Sequence, residues 1–277
     1  MKSVFVFDLD GTLLNSNVEI SQRTAKALKK LKDKGHLIIL SSGRMYASMQ
    51  YIIERFLPFL RNYVIVSAYN GGYLVDHSGN VVLEKGVEKE TACECIGFLR
   101  EYRVHRHIYI NDVLISEQDD EEIKAYAKHS FVNYTLVDDL VKVVKNSDHP
   151  TLKILAICEP KTLDELKGMA LKRFKDKFNI MKSFDSYLDF IPKGVSKGEA
   201  LKIFSKIYNF DLKNCYVFGD SENDIDMLEI SNNSFAMGNA KKEVKEIARY
   251  VLPTNDEDGV AYAIEKIFIT DFNNVNT

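Results

Sequence analysis

The chain has 277 residues, 45% of them hydrophobic and 28% charged, with a net charge of -3. That length passes the size one hydrophobic core usually serves, so two domains are expected. The mildly acidic balance argues against a nucleic-acid partner, which would call for a basic face, and no apolar stretch reaches the roughly 18 residues a membrane span requires.

The first apolar run is cut by Asp8, so it is too short for the apolar core of a signal peptide. A cytoplasmic protein is expected, with Cys93, Cys95, Cys158 and Cys215 as reduced, packed thiols. Cys93-Glu94-Cys95 is spaced too closely for the usual structural zinc site. Residues 3-8 then read as a strand buried on both faces, as in a parallel sheet. A helix is expected from Ser21 to Lys34, where Thr24, Leu28 and Leu31 share a face and Gly35 supplies the stop. His36 to Leu40 reads as the next strand, 43-56 as a helix and Tyr63 to Ser67 as a third strand. This alternation predicts a doubly wound parallel sheet, a Rossmann-like α/β core with right-handed crossovers.

Tyr69-Asn70-Gly71-Gly72 punctuates a turn, and 73-75 with 81-83 reads as a hairpin. The next stretch has a different character. Helices are expected at about 89-102 and 162-175, and strands near 107-110, 113-116 and 153-158, with Asn111-Asp112 as a tight turn. His105-Arg106-His107 reads as alternating residues of a strand rather than a metal site. The alternation resumes with a helix at 197-207, a strand at 215-218, a helix from 224, a strand at 234-237 and a helix at 241-248. The expected organisation is a core in two parts, 1-83 and 187-277, interrupted by an inserted α+β domain at 84-186. Residues 271-277 read as a disordered tail.

Chemistry gathers in four places. Asp8-Leu9-Asp10-Gly11-Thr12-Leu13 follows the first strand, at the rim where open α/β sheets bind ligands. Asp10 can reach the same space from the turn, and two carboxylates so close need a cation or a shared proton. Ser41-Ser42-Gly43-Arg44 follows the second strand and opens a helix, whose N-terminus suits an anion; alone it would also serve as a plain helix cap. Ser196-Lys197-Gly198-Glu199 is a capping box that puts Lys197 in the first helical turn, against the helix dipole. That lysine is either a solvated side chain or the partner of an anion. Gly219-Asp220-Ser221-Glu222-Asn223-Asp224-Ile225-Asp226 follows another strand and is crowded with carboxylates. Glu222 and Asp226 are read as acids favouring a helix N-terminus. If Asp220 joins Asp8 and Asp10, three carboxylates converge, and hard oxygen ligands favour Mg²⁺.

Asp8-Leu9-Asp10-Gly11-Thr12, Ser42-Gly43-Arg44, Lys197 and Gly219-Asp220-Ser221-x-Asn223-Asp224 resemble the four motifs of the haloacid dehalogenase superfamily. The Asn70-Gly71 turn and the large insertion resemble its Cof-type phosphatases. Ser42 stands where most relatives carry threonine and keeps the hydroxyl. The resemblance implies a Mg²⁺-dependent phosphatase acting on small phosphate esters, sugar phosphates first. It implies Asp8 as nucleophile and Asp10 as acid and base. It implies Mg²⁺ held by the Asp8 carboxylate, the Asp10 carbonyl and Asp220. The phosphoryl oxygens would be held by the Leu9 N–H, Ser42, Gly43, Lys197 and Asn223, with Asp224 behind them orienting Lys197 or a metal-bound water. The insertion would be a cap that selects the substrate. Rivals are a phosphosugar mutase sharing the same aspartyl-phosphate, a signalling receiver, which would lack both Asp10 and the insertion, and a binding protein without catalysis. The sequence leaves the oligomeric state open.

Overall fold

The computed structural model describes residues 2–269; the tail expected at 271-277 lies outside them. The chain opens with β1 Val4–Phe7, α1 Gln22–Asp33, β2 Leu37–Ser41, α2 Tyr46–Phe56, β3 Ile65–Ala68, β4 Tyr73–Val75 and β5 Val81–Glu84. It continues through α3 Lys89–Glu101, β6 His105–Ile110, β7 Val113–Ser116, α4 Glu121–Ser130, β8 Tyr134–Leu136, α5 Leu140–Asn146, β9 Thr151–Ile157, α6 Pro160–Phe174, β10 Phe178–Phe184 and β11 Tyr187–Pro192. It closes with α7 Lys197–Tyr208, β12 Tyr216–Gly219, α8 Ile225–Ile230, β13 Asn233–Ala236, α9 Lys242–Ile247, β14 Tyr250–Val251 and α10 Gly259–Ile269. No described helix is long and apolar enough to cross a membrane.

Two compact units result. One takes the chain up to Gly43, Ile52–Val82 and the part from Ser196 on; the other takes Arg44–Tyr51 and Leu83–Val195.

The first unit is built on an eight-stranded sheet of order β14-β13-β12-β1-β2-β3-β4-β5. The pairs from β14 to β3 are parallel, and β4 turns back antiparallel on β3. This is the doubly wound sheet that the alternation predicts. Every residue of β1 is buried, as expected where helices cover both faces of a parallel sheet. The register sets Phe7 opposite Phe218 and Phe218 opposite Phe235. Their rings stack at 4.8 and 4.6 Å, and such pairs contribute about 0.5–1.5 kcal/mol each beyond their buried area. The helix starts follow local chemistry. The Ser21 hydroxyl accepts the Thr24 N–H at 3.0 Å to begin α1, and Ser196 accepts the Glu199 N–H at 3.2 Å to begin α7.

The second unit is built on a six-stranded sheet of order β10-β11-β9-β6-β7-β8, antiparallel except between β7 and β8. Its apolar core joins Ile108, Ile154, Ala156, Leu188 and Phe190 of the sheet to Ala92, Ile96 and Leu99 of α3 and Leu163, Leu166 and Phe174 of α6. The sequence reading places the end of the insertion at 186, but β11 pairs with β9 and β10 and the unit runs to Val195. Asp189 in the middle of β11 breaks the apolar run that would mark a strand. The Asn111-Asp112 turn lies where expected, both residues with φ near +50°. The Asp112 carboxylate accepts the N–H groups of Tyr46 and Ala47 at 2.9 and 2.8 Å, so the first turn of α2 groups with this unit. All four cysteines are free, with Cys95 and Cys215 buried. Cys93 and Cys95 sit two apart in α3 and point to different sides of the helix.

Candidate active site

β1 is central in the first sheet. The chain leaves it for β2 on one side and returns at β12 on the other. The crevice beyond the carboxyl ends of β1 and β12 is therefore the topological switch point, where open α/β sheets bind ligands. Asp8 follows β1, Ser42 follows β2, Asn70 lies just past β3, and Asp220 follows β12.

Lys197 organises this rim. It is fully buried at the start of α7, with its Nζ 2.5 Å from Asp8 Oδ1 and 2.6 Å from Asp224 Oδ1. A lysine at a helix N-terminus costs about 0.3–1 kcal/mol against the dipole, and the two carboxylates offset that cost. Asp224 uses its other oxygen to accept the N–H groups of Asp220 and Ser221, both at 2.9 Å. β12 can end this close to Asp224 because residue 219 is glycine; a Cβ there would lie 2.5 Å from the Asp224 Cβ. Asp220 takes the Thr12 hydroxyl at 3.3 Å and the Ser221 hydroxyl at 3.2 Å.

The Asp8-to-Thr12 turn is tight. The Leu9 carbonyl accepts the N–H groups of Thr12 and Leu14 at 3.3 and 2.8 Å, and Asp10 bridges to Leu14. Asp10 is half-buried and near enough to Asp8 for its charge to act on it. Gly11 has φ +78°, and a Cβ on it would fall 2.3 Å from Asp220 Oδ2. Gly11→Ala combines backbone strain of about 1–3 kcal/mol with displacement of that carboxylate. Activity is expected to fall more than stability, on the order of 100-fold for a shift of this size. Steady-state rates set against a thermal melt check this; a fully active variant would show that Asp220 need not hold its place.

The electrostatics are lopsided. Three carboxylates, Asp8, Asp220 and Asp224, each offer an oxygen within 4.8 Å of the others. Against one ammonium, they leave a surplus of two negative charges when all are ionised. Burial pushes Asp8 well above the usual carboxylate range; Lys197 opposes this, and Asp224, Asp220 and Asp10 add to it. Burial and the Asp224 charge push Asp220 up to about 7. Burial alone would lower the Lys197 pKa, but Asp224 and Asp8 outweigh it and keep the ammonium charged. A divalent cation cancels a surplus of two, and hard carboxylate oxygens suit one. The residues present fit such an ion. Asp224 is committed through both oxygens to Lys197 and two backbone N–H groups at 2.6–2.9 Å, whereas Asp220 takes only two longer hydroxyl bonds at 3.3 and 3.2 Å, so Asp8 and Asp220 are the carboxylates more available to bind it.

The second motif differs from its sequence reading. The helix begins at Tyr46 rather than at residue 43, and the N–H groups of Tyr46 and Ala47 are taken by Asp112. Ser42 and Gly43 therefore stand in the loop ahead of the helix. Ser42 is buried, gives its N–H to the Ser67 carbonyl and accepts the Asn70 N–H, each at 2.9 Å. Asn223 Nδ2 donates to Asn70 Oδ1 at 2.9 Å, while Asn223 Oδ1 is buried without a partner. Turning both amides over keeps that bond in the reverse sense and makes the unpaired group an N–H donor, the sense an anion requires. Asn70 thus ties the second motif to the fourth, a role the sequence reading missed. The signal was there: an asparagine just past a third strand end of the same sheet. Asp226 does not approach the carboxylates. It accepts the Gly198 N–H at 2.9 Å and steadies the start of α7.

Comparison with known proteins gives one consistent answer. The family model described as haloacid dehalogenase-like hydrolase matches residues 5–264. The crystal structure of TM0651 from Thermotoga maritima is 40% identical with a TM-score of 0.86, covering 96% of this chain and 97% of that one. A haloacid dehalogenase-like hydrolase from Bacteroides thetaiotaomicron is 26% identical with a TM-score of 0.88, covering 97% of this chain and all of that one (100%). The 5-amino-6-(5-phospho-D-ribitylamino)uracil phosphatase YwtE of Bacillus subtilis is 28% identical, over 96% of this chain and 98% of its own.

Proposed function

The chain belongs to the haloacid dehalogenase-like hydrolases and is a phosphoric monoester hydrolase of that type; on that premise we propose that it hydrolyses small phosphate esters through a phosphorylated Asp8. The observation that carries the reading is the buried Lys197, held between Asp8 and Asp224 at the switch point of the sheet.

The Asp8 carboxylate attacks phosphorus in line, and the bond from phosphorus to the ester oxygen breaks. Asp10, as the acid, gives its proton to the leaving oxygen. It then takes a proton from the water that attacks the aspartyl-phosphate, and Asp8 and inorganic phosphate are released. Lys197, the Leu9 and Gly43 N–H groups, Ser42 and Asn223 hold the phosphoryl oxygens, and each such preorganised donor is worth about 2.7–4 kcal/mol in the transition state. Asp224 keeps Lys197 aimed. Mg²⁺, bound by Asp8, Asp220 and the Asp10 carbonyl, would neutralise charge between nucleophile and phosphate.

The second unit is read as the cap that selects the substrate. The Bacillus subtilis relative is named for a substrate whose phosphate sits on a ribityl chain. Sugar and sugar-alcohol phosphates are the favoured class here. A cytoplasmic setting suits the free thiols.

The test is release of inorganic phosphate from an aryl phosphate, before and after chelation. EDTA is expected to abolish activity and Mg²⁺ to restore it; indifference to chelation removes the ion from the mechanism. The titration of the site adds a second readout. Asp8 and Asp220 have folded-state pKa values above their unfolded ones. The Asp220 contribution to the chelated protein's stability is therefore full below about pH 4 and is lost as pH rises through about 7, and that of Asp8 is lost in the same direction. Metal binding needs the ionised carboxylates, so the gain in Tm from added Mg²⁺ is expected to be larger at about pH 8 than at about pH 6. A gain that does not change with pH contradicts Asp220 as a ligand.

A further inference from the structure

The rim of the first sheet continues past the residues used above. Beyond β12 it passes the ends of β13 and β14. The turn after β13, Met237-Gly238-Asn239-Ala240, lies against the loop that follows β14. That turn is fixed from several directions. The Met237 N–H donates to the Gly219 carbonyl at the end of β12 at 3.1 Å, and the Gly238 N–H donates to the Pro253 carbonyl at 3.2 Å. Lys245 Nζ donates to the Gly238 carbonyl at 2.6 Å. A Cβ on residue 238 would stand 2.9 Å from both the Leu252 oxygen and the Thr254 nitrogen, so glycine lets the two loops approach this closely.

Asn239 is engaged at both ends of its amide. Its Oδ1 accepts the Asn255 N–H at 3.0 Å. Its Nδ2 donates to the Gly11 carbonyl at 2.9 Å and reaches Asp220 Oδ2 at 3.5 Å, the outer limit of a hydrogen bond. A backbone N–H only donates and a carbonyl only accepts, so these partners fix which end of the amide carries the nitrogen. The Asp220 carboxylate is otherwise held by two hydroxyls at 3.3 and 3.2 Å. Gly11 packs directly against it, where a Cβ would fall 2.3 Å from Oδ2. One amide therefore ties the turn that carries Asp10 to the carboxylate that follows β12.

We infer that Asn239 is a positioning residue for the cation site, holding the Gly11 carbonyl and the Asp220 carboxylate together so that both are in place before the ion arrives. The inference rests on the reading of Asp8, Asp220 and the Asp10 carbonyl as the ligands of a divalent cation. Without an ion, the clustered carboxylates repel one another, which favours turning Asp220 out towards solvent. A neutral donor restrains it without adding a charge that would compete with the ion. The carbonyl that Asn239 holds is also one peptide along from that of Asp10, so the same amide steadies a second ligand. Partners of this kind, which orient metal ligands from behind, typically change metal affinity about 10–100-fold when lost.

The experiment titrates Mg²⁺ into chelator-stripped protein and reads it twice, as the gain in Tm without substrate and as phosphate release from p-nitrophenyl phosphate. Asn239→Leu keeps the volume and removes both donor and acceptor. Half-saturating Mg²⁺ is expected to rise about 10–100-fold by both readouts, with KM at saturating Mg²⁺ within about twofold of the parent. Asn239 is exposed, so water can serve the groups it leaves, and the chelated variant is expected to melt within about 4 °C of the parent. Asn239→Ala, which adds no bulk, is titrated alongside and is expected to show the same rise. Glu257→Ala is the comparison. Glu257 accepts the Thr254 N–H at 3.0 Å and its hydroxyl at 2.8 Å, so this variant loosens the same loop and leaves the Asn239 amide intact. It is expected to lower Tm and to keep half-saturating Mg²⁺ within about twofold. Asn239 variants with the parent's Mg²⁺ requirement overturn the inference. So does an equal rise in Glu257→Ala, which assigns the effect to the loop rather than the amide. A parent whose Tm and turnover both ignore Mg²⁺ instead fails the cation reading itself.

Discussion

Asp8→Asn is expected to abolish turnover without unfolding the protein. Loss of a covalent nucleophile that acts in concert with its partners costs on the order of 10⁴–10⁶ in kcat. The amide retains an oxygen that can accept from Lys197, which lies 2.5 Å from Asp8 and 2.6 Å from Asp224. Where Asp8, Asp220 and Asp224 are all ionised, it also removes one of the two surplus negative charges of the buried cluster. In chelating buffer at neutral pH the variant should therefore melt at or above the parent temperature. Rates with an aryl phosphate and melts with and without EDTA test both halves. Substantial residual turnover would mean that another group attacks phosphorus.

Lys197→Met should do the opposite, costing stability as well as activity. The methionine fills much of the same space, but it strips two buried carboxylates of their ammonium partner. Breaking a buried pair from one side typically costs about 3–5 kcal/mol. The sign of the pH dependence follows. Asp8 is already raised by burial and by its acidic neighbours, and loss of Lys197 removes the charge that opposes this. Protonation relieves the repulsion, so the deficit relative to the parent should be small at about pH 5 and grow towards about pH 8. Urea titrations at the two pH values measure it. A deficit that shrinks as pH rises would contradict this account of the cluster.

Much of the catalytic unit is legible in the sequence because its strands are buried on both faces and read as plain apolar runs. Val4–Phe7 ends in Asp8 and Tyr216–Gly219 ends in Asp220, so both strand ends stand out in the residue pattern itself. The resemblance to the haloacid dehalogenase superfamily is borne out by a family match across residues 5–264. The second unit is harder to read. Helix α5 is seven residues long, and β8 is largely exposed, so neither carries a strong period. β11 hides for a different reason: Asp189 stands in its middle, and the charge that makes its burial tolerable, Lys153, lies 36 positions away in the sequence. Asn70 is visible as a turn former, but its bond to Asn223 depends on two strand ends coming together. Such long-range polar pairing leaves no local pattern. It concentrates where the chain binds or reacts, since those are the places where local rules give way.

The most direct test of the central claim is to trap the intermediate. Enzyme turning over a phosphate ester is quenched in acid, reduced with borohydride and digested, and the peptide containing Asp8 is sequenced by mass spectrometry. An acyl phosphate at Asp8 is reduced to homoserine, and homoserine at position 8 is the expected result, absent without substrate. Turnover with Asp8 unmodified at every quench time, or with the reduced residue at another carboxylate, would contradict Asp8 as the nucleophile.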